Sequence, residues 1–391
     1  MINIAIITAT RAEYGLLQPL IKKLRSKYEN DSFRVNLVVT GTHLSDSYGK
    51  TINEIINNNV RVDYTITTSI NSSSAAEISQ NQADVLCKFS HFFDEHKFDA
   101  IIILGDRYEM LSIAVAASNE HIPIFHLCGG DTTEGALDEW IRHSITKMSY
   151  LHFVTNEDSK NRVVQLGENP DRVFNFGSTS IDNILNIPLL SREEALRSVE
   201  LEDCDNYAIC TFHPVTMENN TAEAQISQLV EAMKTRNDIQ FIVTKSNSDM
   251  GGAKINELWD YYGNTVNNIH VFTSLGITRY LSLMKYAEFV IGNSSSGIIE
   301  TPAFHVPTVN IGDRQKGRLR SDSIIDCTED TPSILKAILQ AQDPQFRLSI
   351  QKSECKFGNG NSAALIAEEI YKTLTIGRIN LKKKFYNLGN Q

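Results

Sequence analysis

Short apolar runs bounded by polar residues alternate with longer amphipathic stretches along almost the whole chain. Residues 2–8, 34–40, 99–104, 123–127 and 150–154 read as buried strands, because each is short, apolar and flanked by polar positions. Helical spacing fills the intervals at 14–28, 75–96 and 107–118. Strand–helix alternation of this kind predicts a parallel sheet covered on both faces. The rhythm pauses across 178–205, where Pro188 and an acidic, weakly periodic stretch intervene. It resumes at 207–211, 240–244, 270–272, 287–291 and 308–310, which predicts a second doubly wound domain. The boundary falls between Gly177 and Ser191, and the helical pattern at 362–374 is placed to cross back onto the first domain. The expected organisation is α/β: two Rossmann-like domains over 1–180 and 181–365, a C-terminal helix and tail over 366–391, and an interdomain cleft.

Composition narrows the field. A chain of 391 residues is too long for one ordinary α/β core. A formal charge of -10 argues against nucleic acid, whose phosphates reward a basic surface. The basic run Lys382, Lys383 and Lys384 is short enough to read as a solvated helix end rather than a membrane or nucleic-acid contact. The first apolar run is too short for a signal peptide core and lacks a preceding basic residue, and no segment is long enough to span a bilayer. The cysteines (Cys87, Cys128, Cys204, Cys210, Cys327 and Cys355) show no paired spacing, the pattern of reduced thiols in a cytoplasmic protein.

Ligands of parallel sheets bind beyond the carboxyl ends of the strands, so the residues just after each strand carry the candidate chemistry. After the first strand, Thr10-Arg11-Ala12-Glu13-Tyr14-Gly15 is no dinucleotide fingerprint, and no GxGxxG occurs in the chain. Arg11 stands at a helix start, where the macrodipole disfavours a cation unless an anion binds there or a carboxylate pairs with it. Gly105-Asp106-Arg107 sets a carboxylate beside a guanidinium at a strand end, either as cap and salt bridge or as an acid–base group next to a phosphate anchor. The stretch 126–139 holds Asp131, Glu134, Asp138 and Glu139 with paired glycines, a density of carboxylates that packing does not require.

In the second half, Phe212-His213-Pro214 and Ser246-Asn247-Ser248-Asp249 follow strands and face the expected cleft. Gly292-Asn293-Ser294-Ser295-Ser296-Gly297 runs from a strand into a helix start. Its amides, hydroxyls and dipole suit a diphosphate, although a serine-rich cap has the same appearance. Glu300 lies one turn on, within reach of ribose hydroxyls, and Arg314 adds a cation near the same mouth.

These motifs, with Arg142-His143-Ser144-Ile145-Thr146-Lys147 and the stretch from Gly312 to Arg318, resemble the hydrolysing UDP-N-acetylglucosamine 2-epimerases of sialic-acid biosynthesis. The resemblance runs in order through nearly the whole chain. It implies a GT-B-like fold, UDP in the interdomain cleft, no metal or nicotinamide cofactor, and a homodimer or homotetramer. The implied reaction eliminates UDP to 2-acetamidoglucal and adds water to give free N-acetylmannosamine. Carried over by position, Arg11, Arg107, His213, Asn247, Ser294, Ser295, Glu300 and Arg314 contact UDP. Asp106 and Asp138 move protons, and His213 eases the departure of UDP. Cys128 departs from the pattern, since relatives carry Glu or His there and a thiol is no strong anion at its usual pKa. Either Asp131 or Glu134 takes over that role, or the step is arranged differently. The Thr133-Glu134-Gly135-Ala136 insertion resembles relatives acting on UDP-2,4-diacetamido-2,4,6-trideoxyglucose on the way to legionaminic acid. A glycosyltransferase and a non-catalytic nucleotide-sugar sensor are the readings from other classes.

Overall fold

The alternation of strand residues sorts them into two cores. Ile4, Ile6, Leu37, Ile102 and Leu127 join one buried cluster, whereas Ala5, Ile7, Val38, Ile101 and Ile124 join another. A sheet buried on both faces follows, as expected for parallel strands whose crossover helices cover each side. The structure is a computed structural model that describes residues 1–71, 73–134, 136–215, 221–246 and 251–389. Asn247, Ser248, Asp249 and Gly135 lie outside the described residues.

The first sheet contains β1 (Ile2–Thr8), β2 (Phe33–Thr40), β3 (Tyr64–Ile66), β4 (Ala100–Leu104), β5 (Ile124–Leu127), β6 (Leu151–Val154) and β7 (Val173–Asn175), ordered β3-β2-β1-β4-β5-β6-β7. The second contains β8 (Tyr207–Thr211), β9 (Gln240–Thr244), β10 (Ile269–Phe272), β11 (Phe289–Gly292), β12 (Thr308–Ile311) and β13 (Ile324–Cys327), ordered β10-β9-β8-β11-β12-β13. All neighbouring pairs are parallel. Strand order reverses between β1 and β4 in one domain and between β8 and β11 in the other. A crevice opens at each such switch point, and here the two crevices share one cleft.

Gly292 shows why the second crevice needs its glycine. Its φ is +133°, and a Cβ there would stand 2.1 Å from the Thr211 carbonyl oxygen on the paired strand. Gly292→Ala is therefore expected to destabilise the protein by about 2–4 kcal/mol, readable as a lowered urea midpoint.

The helix Ser362–Thr375 returns the chain to the first domain, where Ala363, Ile366, Ala367 and Ile370 bury a stripe in its core. Tyr371 stacks on Tyr28 with ring centroids 4.3 Å apart. Asp182 holds the start of this helix, accepting from the Ser362 and Ala363 amides at 2.9 and 2.6 Å. Of the basic run beyond it, Lys382 and Lys384 are exposed, but Lys383 is not a solvated helix end. Lys383 is drawn inward, donating to the Lys147 and Ser149 carbonyls and to the buried Glu168 carboxylate at 2.7 Å. Glu168 also binds Lys147 and His152, so the tail completes a cluster of charges. Lys383→Met is expected to cost roughly 1–3 kcal/mol in urea unfolding, because Glu168 loses one charged donor and keeps two partners.

Candidate functional site

The end of β1 feeds a capping box. The Thr10 hydroxyl accepts from the Glu13 amide, and the Glu13 carboxylate accepts from the Ala9 and Thr10 amides at 2.7 and 3.0 Å. Arg11 opens the helix Arg11–Tyr28 and reaches across the cleft to donate to the Thr273 carbonyl at 2.6 Å. Burial pushes its guanidinium pKa down, and Glu54 opposes that shift. Among the described residues no carboxylate pairs with Arg11 as a plain salt-bridge partner; its guanidinium bonds instead to a backbone carbonyl of the other domain.

Asp106 follows β4. Burial works against its charge, but Arg142, with Arg318 and Arg314 beyond, holds the carboxyl below the usual range. The neighbouring Arg107 stands at the N-cap position of the helix Tyr108–Asn119 without capping it, pairs with Glu109 at 3.3 Å and lies over the Tyr108 ring.

After β5 the chain turns through Cys128, whose φ of +64° is uncommon for a side-chain-bearing residue. Burial first, then Asp131 and Asp106, push the thiol far above its usual pKa, so a neutral thiol faces the cleft. Asp131 is fixed by the Ser159 and Thr155 hydroxyls at 2.6 and 3.2 Å and also lines the cleft. Glu134 does not. It lies at the exposed rim with its carboxylate 3.6 Å from Lys316, and among the described lining residues it is absent. The surface cation opposite it explains the difference, and of the two candidates for the role left by Cys128 only Asp131 reaches the cleft. Asp138 begins the helix Asp138–Met148 and faces Arg314 of the second domain at 3.7 Å.

The second domain builds the opposite wall. Asn293, fully buried, clamps the turn after β8 by accepting from the His213 amide at 2.7 Å and donating to the His213 carbonyl at 2.8 Å. The His213 ring meets the Ser246 hydroxyl at 3.1 Å. The carbonyl of Asn293 accepts from Arg314 and Gln315, which ties the turn after β12 to the turn after β11. Ser294 and Ser295 lead into the expected helix start, which is a single helical turn, Ser296–Ile299, followed by the 3-10 turn Thr301–Phe304. Tyr280 donates to the Ser296 hydroxyl at 2.9 Å, and that hydroxyl donates to Glu300. Burial raises Glu300 to about 7, although the Ser296 bond pulls the other way.

An acid raised in this way keeps its proton in the folded state while the unfolded chain loses it near 4.5. Its contribution to stability is complete below that value and disappears as pH rises toward about 7. Replacing Glu300 by Gln is expected to flatten the fall in stability between pH 5 and 7, measured by urea unfolding at both ends. A fall of unchanged steepness would assign it to other groups, such as Glu13, which burial and Glu109 push up to about 8.

The cleft thus gathers Arg11, Asp106, Arg107, Asp131 and Asp138 on one side, and His213, Ser294, Ser295, Glu300 and Arg314 on the other. It encloses about 300 Å³. Among the residues that motif reading left unassigned, Arg318 also lines it and donates to the Thr132 carbonyl at 3.1 Å. Glu139 and Arg142 stand directly behind the carboxylates. Both arginines sit inside the recognised motifs, and only their tertiary contacts mark them.

Two Rossmann-like domains with a carboxylate-lined wall facing a serine–arginine wall define a GT-B-like α/β protein. Residues 26–371 match the UDP-N-acetylglucosamine 2-epimerase family, and the chain belongs to that family. Polysialic acid biosynthesis protein P7 of Escherichia coli is 37% identical over 390 residues, covering 99% of this chain and 98% of that protein. A GDP/UDP-N,N'-diacetylbacillosamine 2-epimerase (hydrolyzing) of Campylobacter jejuni is 40% identical over 325 residues, covering 83% and 84%. The fold is shared with the crystal structure of a UDP-GlcNAc 2-epimerase from Neisseria meningitidis bound to UDP-GlcNAc, at a TM-score of 0.78 and 18% identity, covering 94% of this chain and 99% of that one.

Proposed function

We propose that this protein is a hydrolysing 2-epimerase of UDP-linked N-acetylamino sugars, converting UDP-N-acetylglucosamine and water to N-acetylmannosamine and UDP. The observation that carries the reading is the meeting of two switch points. Proton-transfer groups at the end of β4 and the start of Asp138–Met148 face anion-binding groups after β8, β11 and β12. The proton at C2 has no adjacent carbonyl to acidify it, so direct removal and return would be prohibitive. Breaking the C1–O bond to the diphosphate as the C2 proton leaves gives a 2-acetamidoglucal. Water then adds its oxygen to C1 while a proton reaches C2 from the opposite face.

Arg11, Arg314, Ser294 and Ser295 stabilise the departing diphosphate, with His213 at its side, and Glu300 holds the ribose. Asp106 and Asp138 are the proton carriers, and Asp131 supports the charge that Cys128 does not supply. Assembly into two or four copies in the cytoplasm belongs to the same reading.

A 4-acetamido-6-deoxy sugar is the second substrate to test, because the neutral Cys128 thiol and Leu104 give the cleft wall an apolar stretch. Release of UDP is measured with each sugar nucleotide, without acceptor, metal or nicotinamide. Release from either supports the reaction, and the larger kcat/KM names the sugar. Silence from both would leave a transferase or a sensor.

A further inference from the structure

We propose that Arg142 is a positioning residue that takes up one oxygen of Asp106, leaves the other as its proton-accepting atom, and holds the carboxylate loop beside it. The proposal rests on the reading of this cleft as an epimerase site.

Arg142 is fully buried and does not line the cleft. Every N–H of its guanidinium is engaged. Nε donates to Asp106 Oδ2 at 2.8 Å, and Nη2 donates to the same oxygen. Nη2 also donates to the Thr133 hydroxyl at 2.7 Å. Nη1 donates to the Asp131 carbonyl at 2.7 Å and to Glu139 Oε2 at 2.8 Å. Glu139 in turn accepts from the Thr133 amide at 2.6 Å, which closes the loop onto the same cation.

One planar fork therefore joins the end of β4, the loop after β5 and the first turn of Asp138–Met148. These three segments carry Asp106, Asp131 and Asp138. Asp106 Oδ1 takes no hydrogen bond among the described residues, and the carboxylate lines the cleft. A carboxylate with one oxygen doubly bound to a guanidinium has a defined orientation and a single free lone-pair edge. Lysine could supply the charge but not the fork.

Asp106 shares the cleft with Arg107 and Asp138, and further charged and titratable groups act on it. Arg318 and Arg314 approach from the second domain, and His126 and Cys128 of the β5 segment lie near with Asp131. Among the cations Arg142 has the largest influence in holding Asp106 ionised. Loss of Arg142 is thus expected to move the acid limb of turnover to higher pH, because Asp106 then protonates more readily.

The experiment uses the full chain, with wild-type turnover of the UDP-sugar measured first. If the wild type releases no UDP, the epimerase reading fails before Arg142 is tested. With an active wild type, Arg142→Met is expected to lower kcat by about 10²-fold or more. Its acid limb should rise by about one pH unit, while UDP affinity by calorimetry stays within a few fold. Arg142→Lys should recover part of the limb position, since it restores charge, but little of kcat, since it lacks the fork. A fall in kcat with an unmoved acid limb in both variants would make Arg142 a structural ion-pair partner and overturn the proposal. If neither variant folds, Thr133→Val removes only one bond of the fork, and a roughly tenfold lower kcat with unchanged UDP affinity is expected. Full activity there would overturn the loop-holding role.

Discussion

Asp106→Asn lowers turnover by about 10³-fold while UDP affinity stays within a few fold, on the account given above. The substitution keeps size, shape and an oxygen that can accept from Arg142. It removes the ability to take a proton at the cleft-facing edge. Asp106 is held ionised by Arg142, so it repels a diphosphate rather than binding it, and its loss removes no phosphate contact. A neutral amide leaves the buried guanidinium with Glu139 as its remaining anion among its hydrogen-bond partners, so a loss of stability accompanies the change. Steady-state kinetics and calorimetry with UDP separate the effects. Equal loss of binding and turnover would remove Asp106 from the proton path.

Ser295→Ala combined with Arg314→Ala acts on the opposite wall and should read out in binding. Two charge-assisted hydrogen bonds at roughly 1.5–3 kcal/mol each predict a fall in UDP affinity of about 10²- to 10⁴-fold. Arg314 is held in place by the Asn293 carbonyl and faces Asp138, so its loss also frees a carboxylate toward the diphosphate. That adds repulsion to the missing attraction. Unchanged affinity in the double variant would place the diphosphate elsewhere in the cleft.

The central strands were legible because burial on both faces leaves a continuous apolar run, as in β1, β4 and β8. Of the sheet-edge strands, β10 was legible at 270–272, but β3, β7 and β13 were not. Each has one neighbour and a partly exposed face, so Tyr64–Ile66, Val173–Asn175 and Ile324–Cys327 carry no such run. The first wall of the site was readable for a related reason: a residue just past a parallel strand has few places to face. Loops offer no such constraint. Asp131 and Glu134 looked equivalent in sequence, and only Ser159 on one side and Lys316 on the other tell them apart. Arg142 sits on a helix with ordinary amphipathic spacing, and its partners come from residues 3 to 36 positions away. Lys383 was misread for the same reason, since Glu168 lies 215 positions from it.

An NMR time course with UDP-N-acetylglucosamine in D2O decides between elimination–addition and the alternatives. The account predicts free N-acetylmannosamine deuterated at C2, formed with equal amounts of UDP. Product that keeps its C2 proton, or UDP released with N-acetylglucosamine of unchanged configuration, would contradict it.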